Sequence, residues 1–340
     1  MDQLQPSPQL FFETATAYQK SAAIKGAVEL ELFTSIAEGN HTVTEIAHRC
    51  SATERGIRIL CDYLVIIGFL TKSGDKYDLT PDSAVFLNKH SPAYLGNVTD
   101  FILSPMLSDS FSDIATTVKT GTSIIKDGGT VAPENPIWIK FAKAMLPMMV
   151  PVAKQMLEKL KHLFPQYLTQ KIKVLDVAAG HGIYGITLAR QNANAEVVAL
   201  DWASVLQVAC ENAERFGVTT CYTTIAGNAF EVDLGKDYDI ILLPNFLHHF
   251  DQETCINFLK KVATALKSEG KVLTIEFVPN EDRVTPPPTA AFAFVMLAST
   301  ASGDAYTFVQ YQEMFTKAGF SQNEIHYLPL SPQSMIISQK

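Results

Sequence analysis

The chain is short of positive charge. It sets 27 Lys and Arg against 35 Asp and Glu, for a net charge of −8, whereas a nucleic-acid binder neutralises phosphates with clustered cations. Net charges of −3, +1 and −6 over residues 1–90, 91–170 and 171–340 leave no segment that could serve as a basic module. Cysteine is sparse as well: five residues with no Cys-x-x-Cys pair, which fits neither a disulfide framework nor a zinc site. Cys50, Cys61, Cys210, Cys221 and Cys255 are therefore read as reduced core thiols, and no metal is expected. Long apolar runs are missing too. The longest, Ala290–Ala298, falls well short of the roughly 18 residues of a spanning helix. Met1-Asp2-Gln3-Leu4 shows no basic region ahead of an apolar stretch, so no secretory leader is expected. These absences argue against nucleic-acid and membrane partners and point to the cytoplasm.

What is present suffices for a large core. Of 340 residues, 47% are hydrophobic and 18% charged, which is not a disordered composition, and the length predicts roughly two domains. Between Thr14 and Gly68 apolar residues recur at helical spacing, as in Ala23, Ala27, Leu30 and Phe33, and again in Ile57, Leu60, Leu64 and Ile67. Thr42 followed by Glu45 has the capping-box pattern, and Ser51 and Thr53 offer a second helix start. Phe69-Leu70, a turn at Ser73-Gly74-Asp75, then Tyr77 and Leu79 predict a short hairpin. Helix, turn, helix, hairpin is a winged-helix order. The helix that would read DNA, Thr53 to Ile67, carries Glu54 and Asp62 beside Arg55 and Arg58 and is otherwise apolar, so packing or dimerisation is the better reading.

Residues 1–90 are thus expected as a winged-helix-like dimerisation domain, 91–170 as a helical linker and 171–340 as a catalytic domain. The linker is rich in Met, Phe and Trp, including Trp138, Phe141, Met145, Met148 and Met149; that stripe is either ordinary core or the wall of an apolar pocket, to which Met adapts. From Lys171 short β-rich runs alternate with helical ones. Strands are predicted at 173–177, 196–200, 222–226, 239–243, 271–277, about 324–327 and 335–338, with helices at about 182–191, 203–216, 252–267 and 308–318. This alternation predicts an α/β fold with a parallel sheet covered on both faces and ligands beyond the strands' carboxyl ends.

The first of these strands runs into Asp176-Val177-Ala178-Ala179-Gly180-His181-Gly182. Gly180 and Gly182 let the backbone turn tightly and approach a ligand at a helix N-terminus. Residues 180–185 also match G-x-G-x-x-G, which alone is weak evidence for a dinucleotide. Asp201 ends the second strand, where a carboxylate can accept from both ribose hydroxyls or, alternatively, cap the next helix. Asp176 would welcome a cationic amino group and repel a pyrophosphate, which favours a sulfonium cofactor.

These residues, with Ala226 to Phe230, the run Tyr238 to Phe250, Lys271 to Glu276 and Ala318-Gly319-Phe320, resemble the S-adenosylmethionine-dependent O-methyltransferases of the plant caffeate and hydroxyindole type and their bacterial relatives. The resemblance spans nearly the whole chain. It implies a Rossmann-like class I sheet of seven strands, the last antiparallel, preceded by a mainly α winged-helix dimerisation domain; a homodimer; and S-adenosyl-L-methionine as cofactor. Carried onto this chain, Asp176, Gly180, Gly182, Asp201, Trp202, Phe230 and Asn245 would line the cofactor, with Asn228 and Ala229 by its adenine and Phe250 beside the adenine. His248 matches the family's general base and Glu276 the acid that orients it. His249 stands where the family has an acid, Asn228 replaces a usual Asp, and the second supporting Glu is missing, with Ala305 nearest and Asp304 beside it.

Methyl transfer is an in-line displacement, helped by alignment and by a base that deprotonates a hydroxyl. His248 and His249 lie just past a strand's carboxyl end, although His248 could instead cap the following helix. Phe141, Met145, Met149, Phe292 and Met296, with Asn245 as a polar contact, are the candidate lining for a small aromatic or apolar acceptor. The loop Pro279–Pro288 is a rim or flap, and Phe11, Phe12 and Tyr18 could reach a partner subunit. The expected function is methyl transfer to a hydroxyl. The alternatives are a C- or N-methyltransferase working by proximity, or an NAD-dependent oxidoreductase.

Overall fold

The apolar spacing between Thr14 and Gly68 closes into a small helical core. The computed structural model describes residues 6–126, 128–329 and 331–340, so the leader reading of Met1 to Leu4 lies outside them. The chain divides into two compact units, Met1–Ser104 and Pro105–Lys340, and the expected linker 91–170 is shared between them.

In the first unit the helices Val43–Arg49 and Glu54–Ile66 precede an antiparallel hairpin of β1 (Leu70–Ser73) and β2 (Lys76–Leu79). The capping box forms: Thr42 accepts from the Glu45 amide, and Glu45 accepts from the Thr42 amide at 2.9 Å. Thr53 caps the next helix by accepting from the Gly56 amide at 3.2 Å. Phe33, Ile46, Ile57, Leu64 and Tyr77 fill the core. On the helix with the recognition position, Asp62 accepts from the Tyr77 hydroxyl and the Lys72 ammonium, both at 2.6 Å. That acid therefore locks the hairpin to the helix. The helix Gln9–Ala15 buries nothing, and Leu10, Phe11, Phe12 and Tyr18 are 74, 69, 59 and 69% exposed.

The second unit is built on seven strands, β3 (Ile172–Val177), β4 (Ala195–Asp201), β5 (Tyr222–Ala226), β6 (Tyr238–Pro244), β7 (Leu266–Glu276), β8 (Gln322–Tyr327) and β9 (Ser334–Gln339). Their order is β5-β4-β3-β6-β7-β9-β8. Only β9 runs against the rest. The expected strands and helices are in place, except that β7 begins at Leu266, before an irregularity in its pairing with β6. Side chains alternate as a pleated sheet requires. Val174, Ile240, Leu242 and Leu273 pack under the helices Leu146–Leu163 and Ile183–Gln191 on one face. Leu175, Ile241, Leu243 and Val272 pack under Gln252–Ala265 and Phe308–Lys317 on the other. Strand order reverses between β3 and β6, so the crevice for a ligand opens at their carboxyl ends.

The cysteine reading needs correction. All five are free, but only Cys61 and Cys255 are buried; Cys50 and Cys221 are half-buried and Cys210 is exposed. Cys210 falls on the outer side of the helix Ala203–Arg215, whose buried stripe runs through Val205, Leu206, Val208, Ala209 and Ala213.

Candidate active site

At the end of β3 the backbone turns through three left-handed residues, Ala178, Gly180 and Gly182, with φ of 51°, 57° and 72°. A Cβ on Gly182 would lie 2.5 Å from the Tyr222 hydroxyl. One on Gly185 would lie 2.8 Å from Val197 Cγ1 and 2.9 Å from Asp176 Oδ2, so the third glycine of the fingerprint serves close helix–strand packing. Asp201 Oδ2 accepts from the Gly180 amide at 2.8 Å and Oδ1 from the Trp202 amide at 2.7 Å. It does not cap the helix Ala203–Arg215, whose N-cap position is Trp202.

Asp176 is fully buried. Its Oδ2 accepts from the Gly185 amide at 3.0 Å, and its Oδ1 has no partner among the described residues. Burial pushes Asp176 up to about 7 and Asp201 up to about 6, because a carboxylate away from water resists ionisation. Such acids gain from a cationic amine and from hydroxyl donors, so the loop fits S-adenosylmethionine. His181 is buried with Nε2 unpartnered, and burial pushes it down to about 3. The imidazole is neutral, and it stacks on Phe141 at 5.9 Å.

After β5, Asn228 Oδ1 accepts from the Phe230 amide at 3.1 Å, and its Nδ2 donates to Glu231 at 2.9 Å. Ala229 is buried. Phe230 turns into an aromatic cluster with Phe250 (4.9 Å) and Phe258 (5.1 Å), so its ring is committed to packing.

The base end is built around Glu276, fully buried at the end of β7. Its Oε1 accepts from the amides of Phe246 (3.0 Å) and Leu247 (2.9 Å), and its Oε2 from His248 Nδ1. The carboxylate thereby fixes both the loop and the imidazole tautomer. His248 caps nothing, since Asp251 caps the helix Gln252–Ala265 by accepting from the Thr254 amide at 2.8 Å.

The His249 ring lies 4.2 Å from that of His248, with Nδ1 buried and unpartnered. Burial and the neighbouring imidazole hold its pKa well below the usual histidine value. Asn245, at φ 54°, accepts on Oδ1 from buried Gln333. Where a second acid is missing, Ala305 is buried; the Asp304 amide donates to the His248 carbonyl at 3.0 Å while its carboxylate meets Arg283 at 3.1 Å.

Of the acceptor candidates, Phe292 lies edge-on to His248 at 4.9 Å and Phe141 touches Trp138 at 5.7 Å. Met149 is buried with its sulfur accepting from the Tyr184 hydroxyl at 3.5 Å; Met145 is half-buried against the same core, and Met296 is buried. Two more rings join them, Phe277 from outside the sequence reading and Trp138 from its aromatic stripe. Phe277 stacks on Phe292 at 3.8 Å, and Trp138 lies 5.1 Å from His249. Trp138 was visible only as part of the aromatic stripe. Ring contacts thus run without a break from His181 through Phe141, Trp138, His249 and His248 to Phe292 and Phe277.

An O-methyltransferase domain model matches residues 129–321, and an O-methyltransferase dimerisation domain model matches 12–89. The chain is 25% identical over 324 residues to 3-hydroxy-5-methyl-1-naphthoate 3-O-methyltransferase of Streptomyces sahachiroi, covering 93% of this chain and 90% of that protein. It is 26% identical over 323 residues to flavonoid 4'-O-methyltransferase 5 of Ocimum basilicum, covering 92% of each. A crystal structure from Nostoc punctiforme, described as a candidate O-methyltransferase, superposes with a TM-score of 0.94 at 52% identity, over 99% of this chain and 100% of that one. Nothing in these comparisons supports the dinucleotide alternative. No described helix is long and apolar enough to cross a membrane, and no group of three or more potential metal ligands occurs among the described residues.

Proposed function

The chain belongs to the O-methyltransferase family, and from that premise we propose that it methylates a hydroxyl on a small aromatic acceptor, with His248 as general base. Its cofactor, S-adenosylmethionine, supplies an electrophilic methyl group when bound. Asp176, Gly180, Asp201 and Trp202 are the residues to hold it, with Asn228 and Ala229 along the adenine and Phe250 near it.

The observation that carries the base assignment is the buried His248–Glu276 pair. With Nδ1–H donated to the carboxylate, the lone pair of Nε2 is the proton acceptor. The acceptor's hydroxyl proton passes to Nε2, and Glu276 stabilises the imidazolium that forms. His249, kept neutral, adds no second charge beside the base. Phe292, Phe141 and Trp138 suit a flat ring held by stacking, Met149 and Met296 an apolar edge, and Asn245 a polar one. Naphthoate and flavonoid relatives support an aromatic acceptor.

The matched dimerisation domain and the exposed Phe11, Phe12 and Tyr18 support a homodimer in solution; a monomer by light scattering at micromolar concentration would overturn it. The free thiols support a reducing, cytoplasmic location.

The test is product formation from methyl-labelled cofactor with a panel of hydroxyarenes. His248→Ala should lower turnover by about two to four decades with S-adenosylhomocysteine binding intact. A loss under about threefold would refute general-base catalysis and favour transfer by proximity alone.

A further inference from the structure

One ammonium outside the base and cofactor machinery is spent entirely on backbone carbonyls. Lys261, on the helix Gln252–Ala265, donates to the carbonyls of Ala229 (3.0 Å), Phe230 (2.9 Å) and Val232 (2.6 Å). A lysine ammonium has three N–H donors and no acceptor, and all three are placed on backbone. It forms no salt bridge among the described residues, although Glu231 and Asp233 lie near enough to act on its charge.

The segment it holds is a single helical turn. The amides of Glu231 and Val232 donate back to the Asn228 carbonyl at 2.9 and 3.0 Å. No further turn follows to use the carbonyls at 229, 230 and 232, so they need an outside donor, as at any helix C-terminus. Burial draws the Lys261 pKa down, a cost that the three carbonyls offset.

The same helix also grips the base loop. Cys255 Sγ donates to the Leu247 carbonyl at 3.2 Å, and Phe258 lies 5.0 Å from Phe246 and 5.1 Å from Phe230. Cys255, Phe258 and Lys261 recur every three residues on one helix stripe. One rigid element therefore touches the turn after β5 and the loop after β6.

We infer that Lys261 is a positioning residue for the cofactor, fixing the 228–232 turn so that its backbone meets the adenine in one conformation. This rests on the reading of Asn228 and Ala229 as the adenine edge. Without the ammonium, binding must first order the turn, so the effect falls on cofactor affinity.

The experiment is calorimetric titration of S-adenosylhomocysteine into wild type, Lys261→Met and Lys261→Arg, with amide hydrogen exchange over 227–236 in each protein, free and bound. Lys261→Met should raise Kd about tenfold, and Lys261→Arg should return it to within about threefold of wild type. In wild type the ligand should protect the 228–232 amides, and in Lys261→Met that protection should weaken while exchange in β3 and β4 stays unchanged. A wild-type Kd for Lys261→Met, with the turn protected as before, overturns the role and leaves the adenine reading standing. If the ligand gives the wild-type turn no protection, the adenine reading itself fails and the inference goes with it. Should Lys261→Met lose its cooperative melt, Lys261→Gln carries the test: a weakened Kd supports the role, and a wild-type Kd overturns it.

Discussion

Two acids stand at carboxyl ends of the same sheet, Asp201 on β4 and Glu276 on β7, and they are built for different work. Glu276 is fully buried, and its oxygens are occupied by three loop amides and an imidazole. Asp201 is half-buried, and each oxygen takes one amide. A carboxylate has about four lone-pair sites, so Asp201 keeps capacity for hydroxyl donors while Glu276 keeps almost none. Occupancy and exposure separate the acid proposed for the ribose from the one that orients His248.

The sharpest way to break that comparison is at the buried acid. Glu276→Gln keeps an acceptor for the loop amides but cannot stabilise the imidazolium, so turnover should fall by about two to three decades. S-adenosylhomocysteine affinity should stay within about threefold, since no cofactor role falls to Glu276. Calorimetry and product formation on one preparation check both, and a large loss of affinity would show that the two ends do not work separately.

At the other acid the pattern should invert. Asp201→Asn should weaken S-adenosylhomocysteine about tenfold to a hundredfold, because a charged acceptor for the ribose is lost, while the melting temperature does not fall. Equal losses of stability from Asp201→Asn and Glu276→Gln would erase the distinction.

A smaller effect is set by pH. Asp201 at about 6 must ionise to accept fully, so affinity should fall about fourfold from pH 8 to pH 5.5 through this group. Asp201→Asn should remove that limb and leave one near 7 from Asp176.

The smallest concerns the free protein. Both aspartates titrate above the ordinary carboxylate range when folded, so they contribute stability at low pH that is lost as pH rises through about 6 and about 7. Melts between pH 5.5 and 8 should show the free protein losing stability on that rise, and bound S-adenosylhomocysteine restoring more of it at the upper end.

Strands β3, β4 and β6 were legible because buried parallel strands are near-continuous apolar runs, and Gly180, Asp201 and His248 stand at or just past the ends of such runs, as Glu276 does on β7. Gly180, Asp201, His248 and Glu276 could be named for that reason. Lys261 and Phe277 could not. Their roles come from contacts far apart in sequence, as when Lys261 reaches Ala229, and no local period marks them. The exposure of Cys210 was missed because its composition-level reading ignored which side of a helix it occupies.

The chain has two tryptophans, and both pack on the small cluster of Ala142, Val205 and Val208. Trp202 follows Asp201, and Trp138 borders His249. The protein's tryptophan fluorescence therefore originates beside its two proposed ligands. Trp202→Phe leaves an emitter tuned to the acceptor wall, and Trp138→Phe one tuned to the cofactor, so the order of ligand arrival can be timed by stopped flow without any added dye.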